Sequence, residues 1–192
     1  MTYCLAMRVD QGLALCSDSR TSAGVDNLSV YSKMHRFETT PDRLVVLLSA
    51  GNLATTQAVN SQIERDLANP EISRDLNGFS HLDEVAAYVG EISAKIQGTY
   101  SEQSEQNGFG ASFILGGQIG EQPADIFLIY SAGKISRSWP KMPAAQSDFA
   151  IIAGGTLCLA SLGRSLVLGK ARSAEFRLIV TFVSNWLVRQ SM

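Results

Sequence analysis

The sequence predicts a single α+β domain over residues 1–192, on three observations. The chain has 192 residues, of which 45% are apolar and 18% charged, a composition typical of one soluble globular domain and not of a disordered chain or a coiled coil. Strand-like segments stand at the start of the chain and again at residues 111–130. Between them, two segments carry apolar residues at helical spacing.

The first predicted strands lie at residues 2–9 and 13–17 and are separated by Asp10-Gln11-Gly12. Asp and Gly in such a short connection are typical of a tight hairpin turn. Residues 44–48 form a continuous apolar run of strand length, which favours a strand that is covered on both faces.

Two helices are predicted after this strand. The first begins after Asn52, and its apolar side carries Leu53, Thr56, Val59, Ile63 and Leu67. The second covers residues 80–97, where Ser80 and Asp83 resemble a capping box.

The last two predicted strands lie at residues 111–115 and 126–130, and Gly116-Gly117 is expected to link them. Beyond Gly133 no cap or turn pattern organises the sequence, although residues 179–183 are rich in β-branched side chains.

The charge of the chain is divided unevenly. Residues 1–133 carry a net charge of −8 and residues 134–192 a net charge of +6, within a formal total of −2. A shift of this size inside one small domain marks residues 134–192 as an atypical tail.

Composition also narrows the classes of function. Cys4, Cys16 and Cys158 form no Cys-x-x-Cys pair, which argues against a disulfide framework or a structural zinc site. The start of the chain lacks the basic region of a signal peptide, and no stretch is apolar enough for a transmembrane helix. We therefore expect a cytoplasmic protein, and the small net charge gives no reason to expect nucleic acid or membrane as a partner.

Thr2 is the first candidate for chemistry. Methionine before a small residue is normally removed, so we expect the mature chain to begin at Thr2. Its α-amine would have a pKa of roughly 7.7–8.0 and could serve as a built-in base for the hydroxyl of the same residue. Many chains begin Met-Thr without such a role, so Thr2 alone predicts little.

Three further residues are candidates to act with Thr2. Asp18 follows an apolar strand that pairs with the N-terminal strand. Lys33, if buried beside Asp18, would lower the pKa of the Thr2 hydroxyl by its field. Gly51 follows a buried strand and opens a helix, where its N–H can approach a developing oxyanion. Taken singly, Lys33 also suits a surface position and Gly51 an ordinary helix start.

The order and spacing of four motifs are more specific. A Met-Thr start, S-D-S-R-T-x-x-G at residues 17–24, S-K-M at 32–34 and S-A-G-N at 49–52 resemble a proteasome β-subunit, an N-terminal-nucleophile threonine hydrolase. The chain is similar in particular to the bacterial proteasome-like peptidases called Anbu, and the resemblance covers roughly residues 1–133. The matching segments are residues 1–4, 23–27 and 50–57.

The resemblance implies a four-layer αββα sandwich, in which two sheets face each other and helices cover their outer faces. Thr2 would be the nucleophile, Asp18 and Lys33 its electrostatic partners, and Gly51 the oxyanion donor. The resemblance also implies a peptide or unfolded-protein substrate and a homo-oligomeric ring or open spiral. It implies no metal or organic cofactor and identifies no unfoldase partner.

The tail departs from the family's pattern. Members carry an acid and a serine in a segment resembling Ser-Phe-Asp-Ser-x-x-Arg-Ser-x-Leu, whereas this chain has no Asp after Asp148. The C-terminal part of the sandwich is therefore expected to be incomplete. Codons for residues 154–163 and 175–186, if read one nucleotide later, can encode two segments that resemble segments of the family. We therefore predict a frameshift beyond Gly133.

Two other functions stay open. The chain could be a non-catalytic or truncated structural subunit of such an assembly, although the expected absence of an extension before the first strand is unlike the α-type subunits. It could also be a small-molecule amidase on the same fold, although those enzymes usually expose Cys or Ser first.

Other residues are weaker candidates. Cys4 and His35 could form a Cys–His pair, but no third group is indicated to orient it. His81 is expected to be solvated, and the Gly154-Gly155 pair lacks the pattern of a phosphate-binding loop. Trp139 and Trp186 are expected in the core or in an interface.

Overall fold

The structure is a computed structural model that describes residues 2–9, 12–18, 20–22, 28–103, 109–131, 133–137, 147–153, 156–162 and 178–184. In chain order its elements are β1 Tyr3–Val9, β2 Gly12–Asp18, β3 Arg20–Ser22, β4 Leu28–Val30, β5 Met34–Thr40, β6 Arg43–Gly51, α1 Leu53–Ala68, α2 Leu82–Gln103, β7 Ala111–Ile119, β8 Asp125–Ile129, β9 Ile135–Arg137, β10 Ser147–Ala153, β11 Thr156–Leu162 and β12 Leu178–Ser184.

The strands form two five-stranded antiparallel sheets and one small ribbon. The first sheet has the order β11-β10-β1-β2-β12, so the N-terminal hairpin lies at its centre. The second sheet has the order β5-β6-β7-β8-β9, and β3 pairs with β4 alone. The two strands predicted at the start of the chain, β1 and β2, therefore lie in the interior of the first sheet, and each pairs with a strand on both of its sides.

One core lies between the two sheets. Alternate residues of β1 and β2 point to one face of the first sheet, and their apolar side chains meet those of the second sheet. This core comprises Cys4, Ala6, Leu13, Leu15, Met34, Val46, Leu48, Ala50, Ile114, Ala124, Ile126 and Leu128. The continuous apolar run of β6 is explained by this packing, because β6 is covered on both of its faces.

A second core joins the opposite face of the second sheet to the two helices. Val45 and Leu47 of β6 pack there with Val59 and Ile63 of α1. Helix α2 contributes Val85, Ala86 and Val89 to the same core. The helical periodicity of both segments therefore marks the faces that cover the sheet.

The predicted α+β class is confirmed, whereas the four-layer sandwich is not confirmed. The described residues contain two packed sheets with two helices on the outer face of the second sheet. A second helical layer is not among the described residues. On the outward face of the first sheet, Leu5, Met7 and Cys16 are only half-buried.

Two local predictions are wrong. Gly116-Gly117 does not link two strands but lies inside β7, where a Cβ on Gly116 would come within 2.8 Å of Leu15 Cδ2 in the facing sheet. At the start of α2 the capping carboxylate belongs to Glu84, not Asp83. Its Oε2 accepts from the N–H groups of Ser80 and His81, each at 3.0 Å.

The tail contributes backbone to the first sheet. Strand β10 pairs with β1, and β12, which contains the β-branched run at residues 179–183, pairs with β2. The sequence pattern did not assign these strands. The first two hairpin residues at positions 10 and 11, together with Trp139, Gly154, Gly155 and Trp186, lie outside the described residues.

Candidate active site

Four strand ends meet at one end of the two stacked sheets, and they carry the candidate residues. Thr2 precedes β1 and Asp18 ends β2, while Lys33 precedes β5 and Gly51 ends β6. Because β1 and β2 are antiparallel neighbours, as are β5 and β6, the start of one strand lies beside the end of the next. Residues that are far apart in sequence are thereby brought together.

The Lys33 ammonium lies between Thr2 and Asp18. Its Nζ donates to Thr2 Oγ1 at 3.0 Å and to Asp18 Oδ1 and Oδ2 at 3.0 and 2.9 Å. Lys33 is 6% exposed and Asp18 is 1% exposed. Each charge is therefore compensated by its partner and not by water, and removal of either would leave a buried charge alone.

Asp18 also binds the main chain next to Thr2. The N–H of Tyr3 donates to Asp18 Oδ1 at 3.0 Å. One carboxylate thus holds both the Lys33 ammonium and the start of β1, which fixes the position of Thr2 relative to Lys33. Sequence reasoning missed this partner, because a main-chain N–H leaves no trace in the identity of its residue.

Thr2 itself is only half-buried, so a molecule in solution can reach it. Its Oγ1 accepts the hydrogen bond from Lys33, which leaves the hydroxyl proton of Thr2 free to be donated elsewhere. An ammonium within hydrogen-bond distance also favours the ionised form of the hydroxyl over the neutral one.

Gly51 occupies a position that only glycine fits. Its φ is +113°, and a Cβ there would lie 2.3 Å from Gly110 O and 2.9 Å from Ala111 Cα. Gly110, which precedes β7, therefore lies too close to position 51 for any side chain there. The sequence alone did not reveal this structural reason for the glycine.

The N–H of Gly51 points toward the segment that carries Lys33. Along a strand, successive N–H groups point to opposite edges. Ser49 donates to Lys33 O at 2.9 Å on one side, and Asn52 donates to Gly110 O at 2.9 Å on the other. By this alternation the Gly51 N–H lies on the same side as that of Ser49.

The alternative Cys–His pair is not formed. Cys4 faces the core between the sheets, whereas His35 follows Met34, which points into that core, and so faces the other way. Burial raises the pKa of the Cys4 thiol to about 12. The His35 ring instead lies 3.4 Å from Tyr31 Oη through its Nε2, and burial lowers its pKa.

His81, metal binding and membrane spans are the remaining points to compare with the structure. His81 is exposed, and its Nδ1 lies 3.1 Å from Gln122 Oε1. Within the described residues, no group of three or more His, Cys, Asp or Glu side chains is arranged to hold a metal ion. Neither α1 nor α2 combines the length and the apolarity needed to cross a bilayer.

Solved structures of Anbu proteins resemble the chain in sequence and fold. The ancestral β-subunit Anbu from Yersinia bercovieri is 36% identical, with a TM-score of 0.69 over 79% of this chain and 61% of that one. A mutant Anbu from Hyphomicrobium sp. strain MC1 is 34% identical, with a TM-score of 0.68 over 80% and 61% of the two chains. Anbu in a helical assembly from Pseudomonas aeruginosa is 31% identical, with a TM-score of 0.69 over 79% and 61%.

No protein-family model and no curated protein sequence matches the chain. The chain covers 61% of the length of the solved proteins named above. Its resemblance to Anbu, predicted from the N-terminal motifs, is confirmed by both sequence identity and fold. Over the part that it shares with them, the chain is similar in sequence and fold to the Anbu proteins, one of which is described as an ancestral β-subunit.

Proposed function

We propose that the chain is a proteasome-type threonine peptidase subunit, which hydrolyses peptide bonds through an N-terminal Thr2 nucleophile. The observation that carries the proposal is the position of Lys33. Its ammonium lies 3.0 Å from Thr2 Oγ1 and also donates a hydrogen bond to the Asp18 carboxylate. A buried cation beside a reachable hydroxyl lowers the pKa of that hydroxyl and so helps to activate its oxygen as a nucleophile.

The first step would form an acyl-enzyme. Removal of Met1 converts the main-chain nitrogen of Thr2 into a free α-amine, which accepts the hydroxyl proton as Oγ1 attacks the substrate carbonyl carbon. Lys33 stabilises the negative charge that develops on Oγ1. When the tetrahedral adduct collapses, the C–N bond breaks, the α-ammonium returns its proton to the leaving amine, and an ester on Thr2 remains.

The oxyanion of that adduct needs hydrogen-bond donors that are already in place. The Gly51 N–H would supply one of them, because it lies on the side of β6 that faces the Lys33 segment and carries no Cβ to block the approach. Water would then attack the ester with the α-amine as base, which releases the acyl product and restores Thr2.

Thr2 is half-buried and can be reached from solution, and we propose an extended peptide or an unfolded segment as its substrate. We further propose that the subunit works in a homo-oligomer, supported by the helical assembly of the Anbu complex from Pseudomonas aeruginosa. In such an assembly the sites would be sequestered from folded proteins.

The proposal is tested by the hydrolysis of fluorogenic peptides by three forms of the N-terminus. Thr2→Ser keeps a hydroxyl and should retain activity, whereas Thr2→Ala should lose it. A form with an uncleaved N-terminal tag keeps the hydroxyl but lacks the α-amine, and should also be inactive. Turnover in the Thr2→Ala form would overturn the proposal, and turnover of simple amides but not of peptides would favour the amidase.

A further inference from the structure

Two residues outside the proposed chemistry connect the strand of Thr2 to the segment of Lys33. Cys4 stands two residues after Thr2, is 1% exposed and donates from Sγ to Ser49 O at 3.5 Å. This hydrogen bond crosses from β1 in the first sheet to β6 in the second.

Ser49 continues the connection to Lys33. Its N–H donates to Lys33 O at 2.9 Å, and its Oγ donates to the same carbonyl at 3.4 Å. Ser49 is 1% exposed, so water does not compete for these bonds. It also stands two residues before Gly51, on the same strand.

The thiol is suited to this position because it donates a hydrogen bond without adding a charge. A second anion beside Asp18 would compete for the Lys33 ammonium. The Cys4 side chain fills core space between the sheets and still satisfies a main-chain carbonyl, which an apolar side chain of similar size cannot do.

We propose that Cys4 and Ser49 are positioning residues that hold Thr2, Lys33 and Gly51 in register through the hydrogen bonds from Cys4 to Ser49 and from Ser49 to Lys33. The proposal rests on the proposed function for its effect on acylation. The link itself can be measured independently of any activity.

Two substitutions of Cys4 separate hydrogen bonding from packing. Cys4→Ser keeps a donor but loses volume and apolarity, whereas Cys4→Val is apolar and somewhat larger than cysteine but cannot donate. If the hydrogen bond positions the site, the serine variant should acylate Thr2 at close to the wild-type rate and the valine variant roughly tenfold more slowly. If Cys4 only fills space, the order of the two variants should reverse.

Cys16 offers a matched control. It stands on β2, next to Leu15 of the core between the sheets, and therefore points to the other face of the first sheet. Cys16→Ser and Cys16→Val make the same chemical changes there and should leave the rate of acylation of Thr2 unchanged.

Hydrogen exchange at the Ser49 amide gives the readout that does not depend on activity. Protection of this amide should fall in Cys4→Val, stay near the wild-type level in Cys4→Ser and be unchanged in both Cys16 variants. Equal protection in the two Cys4 variants would overturn the positioning role. If wild-type Thr2 is never acylated, the proposed function fails, and the exchange rates alone decide whether Cys4 and Ser49 hold the register.

Discussion

Lys33 donates hydrogen bonds to both carboxylate oxygens of Asp18, at 3.0 and 2.9 Å, and the pair is almost completely buried. The pair lies beside Thr2, at the end of the stacked sheets that carries the candidate site. Its burial makes it a determinant of stability as well as a candidate for catalysis.

The first prediction concerns this pair. Lys33→Met should lower the free energy of unfolding by about 3–5 kcal/mol, because it leaves the Asp18 carboxylate buried without a partner. The double variant Lys33→Met with Asp18→Asn should lose less than the single variant, because no charge then remains buried. Urea unfolding of the single and double variants measures the difference.

The exposed ion pair between Arg74 and Glu91, in which both side chains are 58% exposed, is the control for the first prediction. Arg74→Met should leave the free energy of unfolding nearly unchanged, since water screens both charges. Equal losses in Lys33→Met and Arg74→Met would mean that burial of the Lys33 pair has no energetic consequence.

The second prediction concerns Gly51. Gly51→Ala should destabilise the fold by at least about 1–3 kcal/mol, because its φ of +113° is strained for an alanine. Its Cβ would also collide with Gly110 O. Thermal unfolding measures the loss.

Gly98, in helix α2, gives the opposite case. A Cβ there meets nothing within 4 Å, so Gly98→Ala should stabilise the protein by roughly 0.5–1 kcal/mol through helix propensity. A Gly51→Ala variant as stable as wild type would contradict the close passage of Gly110.

The third prediction is a pH dependence that originates at Cys4. Burial raises its pKa from 9.0 to about 12, so between these values the folded thiol keeps a proton that the unfolded chain has lost. The folded state then binds more protons than the unfolded state, and stability should fall as pH rises, by up to about 1.4 kcal/mol per pH unit. Below pH 9 both states hold the proton and the effect should vanish.

Urea unfolding at pH 8 and pH 10.5 should show a smaller loss of stability in Cys4→Val than in wild type. The comparison isolates Cys4, because Cys16, whose pKa burial also raises, is present in both proteins. Parallel pH profiles for the two proteins would show that Cys4 is not shielded from water.

Sequence patterns predicted best the elements whose burial is regular. The apolar run of β6 and the helical stripes of α1 and α2 face continuous cores, so their periodicity is complete. Strand β5 was not predicted, because Arg36 and Glu38 are exposed on it and break the apolar pattern. Gly116-Gly117 resembled a turn, although these glycines serve close packing inside β7.

In the candidate site, residues that act through their side chains could be predicted from the sequence, whereas main-chain contacts could not. Thr2, Asp18 and Lys33 could be named from motifs because their side chains carry the chemistry. The N–H of Tyr3 and the carbonyl of Ser49 act through the main chain, so their residue types give no signal.

The fourth prediction concerns residues 134–192. The net charge of +6 in this segment, against −8 before it, together with the family-like segments that its codons can spell one nucleotide later, predicts a frameshift in the coding DNA between Gly133 and Gly154. Translation one nucleotide later should yield a more acidic sequence that contains the Asp and Ser of the family-like segment. Sequencing the coding DNA decides the matter, and early stop codons in both alternative frames would refute the frameshift.

The central claim is that one residue supplies both the nucleophile and its base. The most direct test treats the protein with an electrophilic peptide β-lactone and locates the adduct by mass spectrometry. We expect a chain that lacks Met1 and carries one ester on Thr2, and no adduct when an uncleaved tag blocks the α-amine. An adduct on another residue, or equal labelling of the tagged protein, would contradict it.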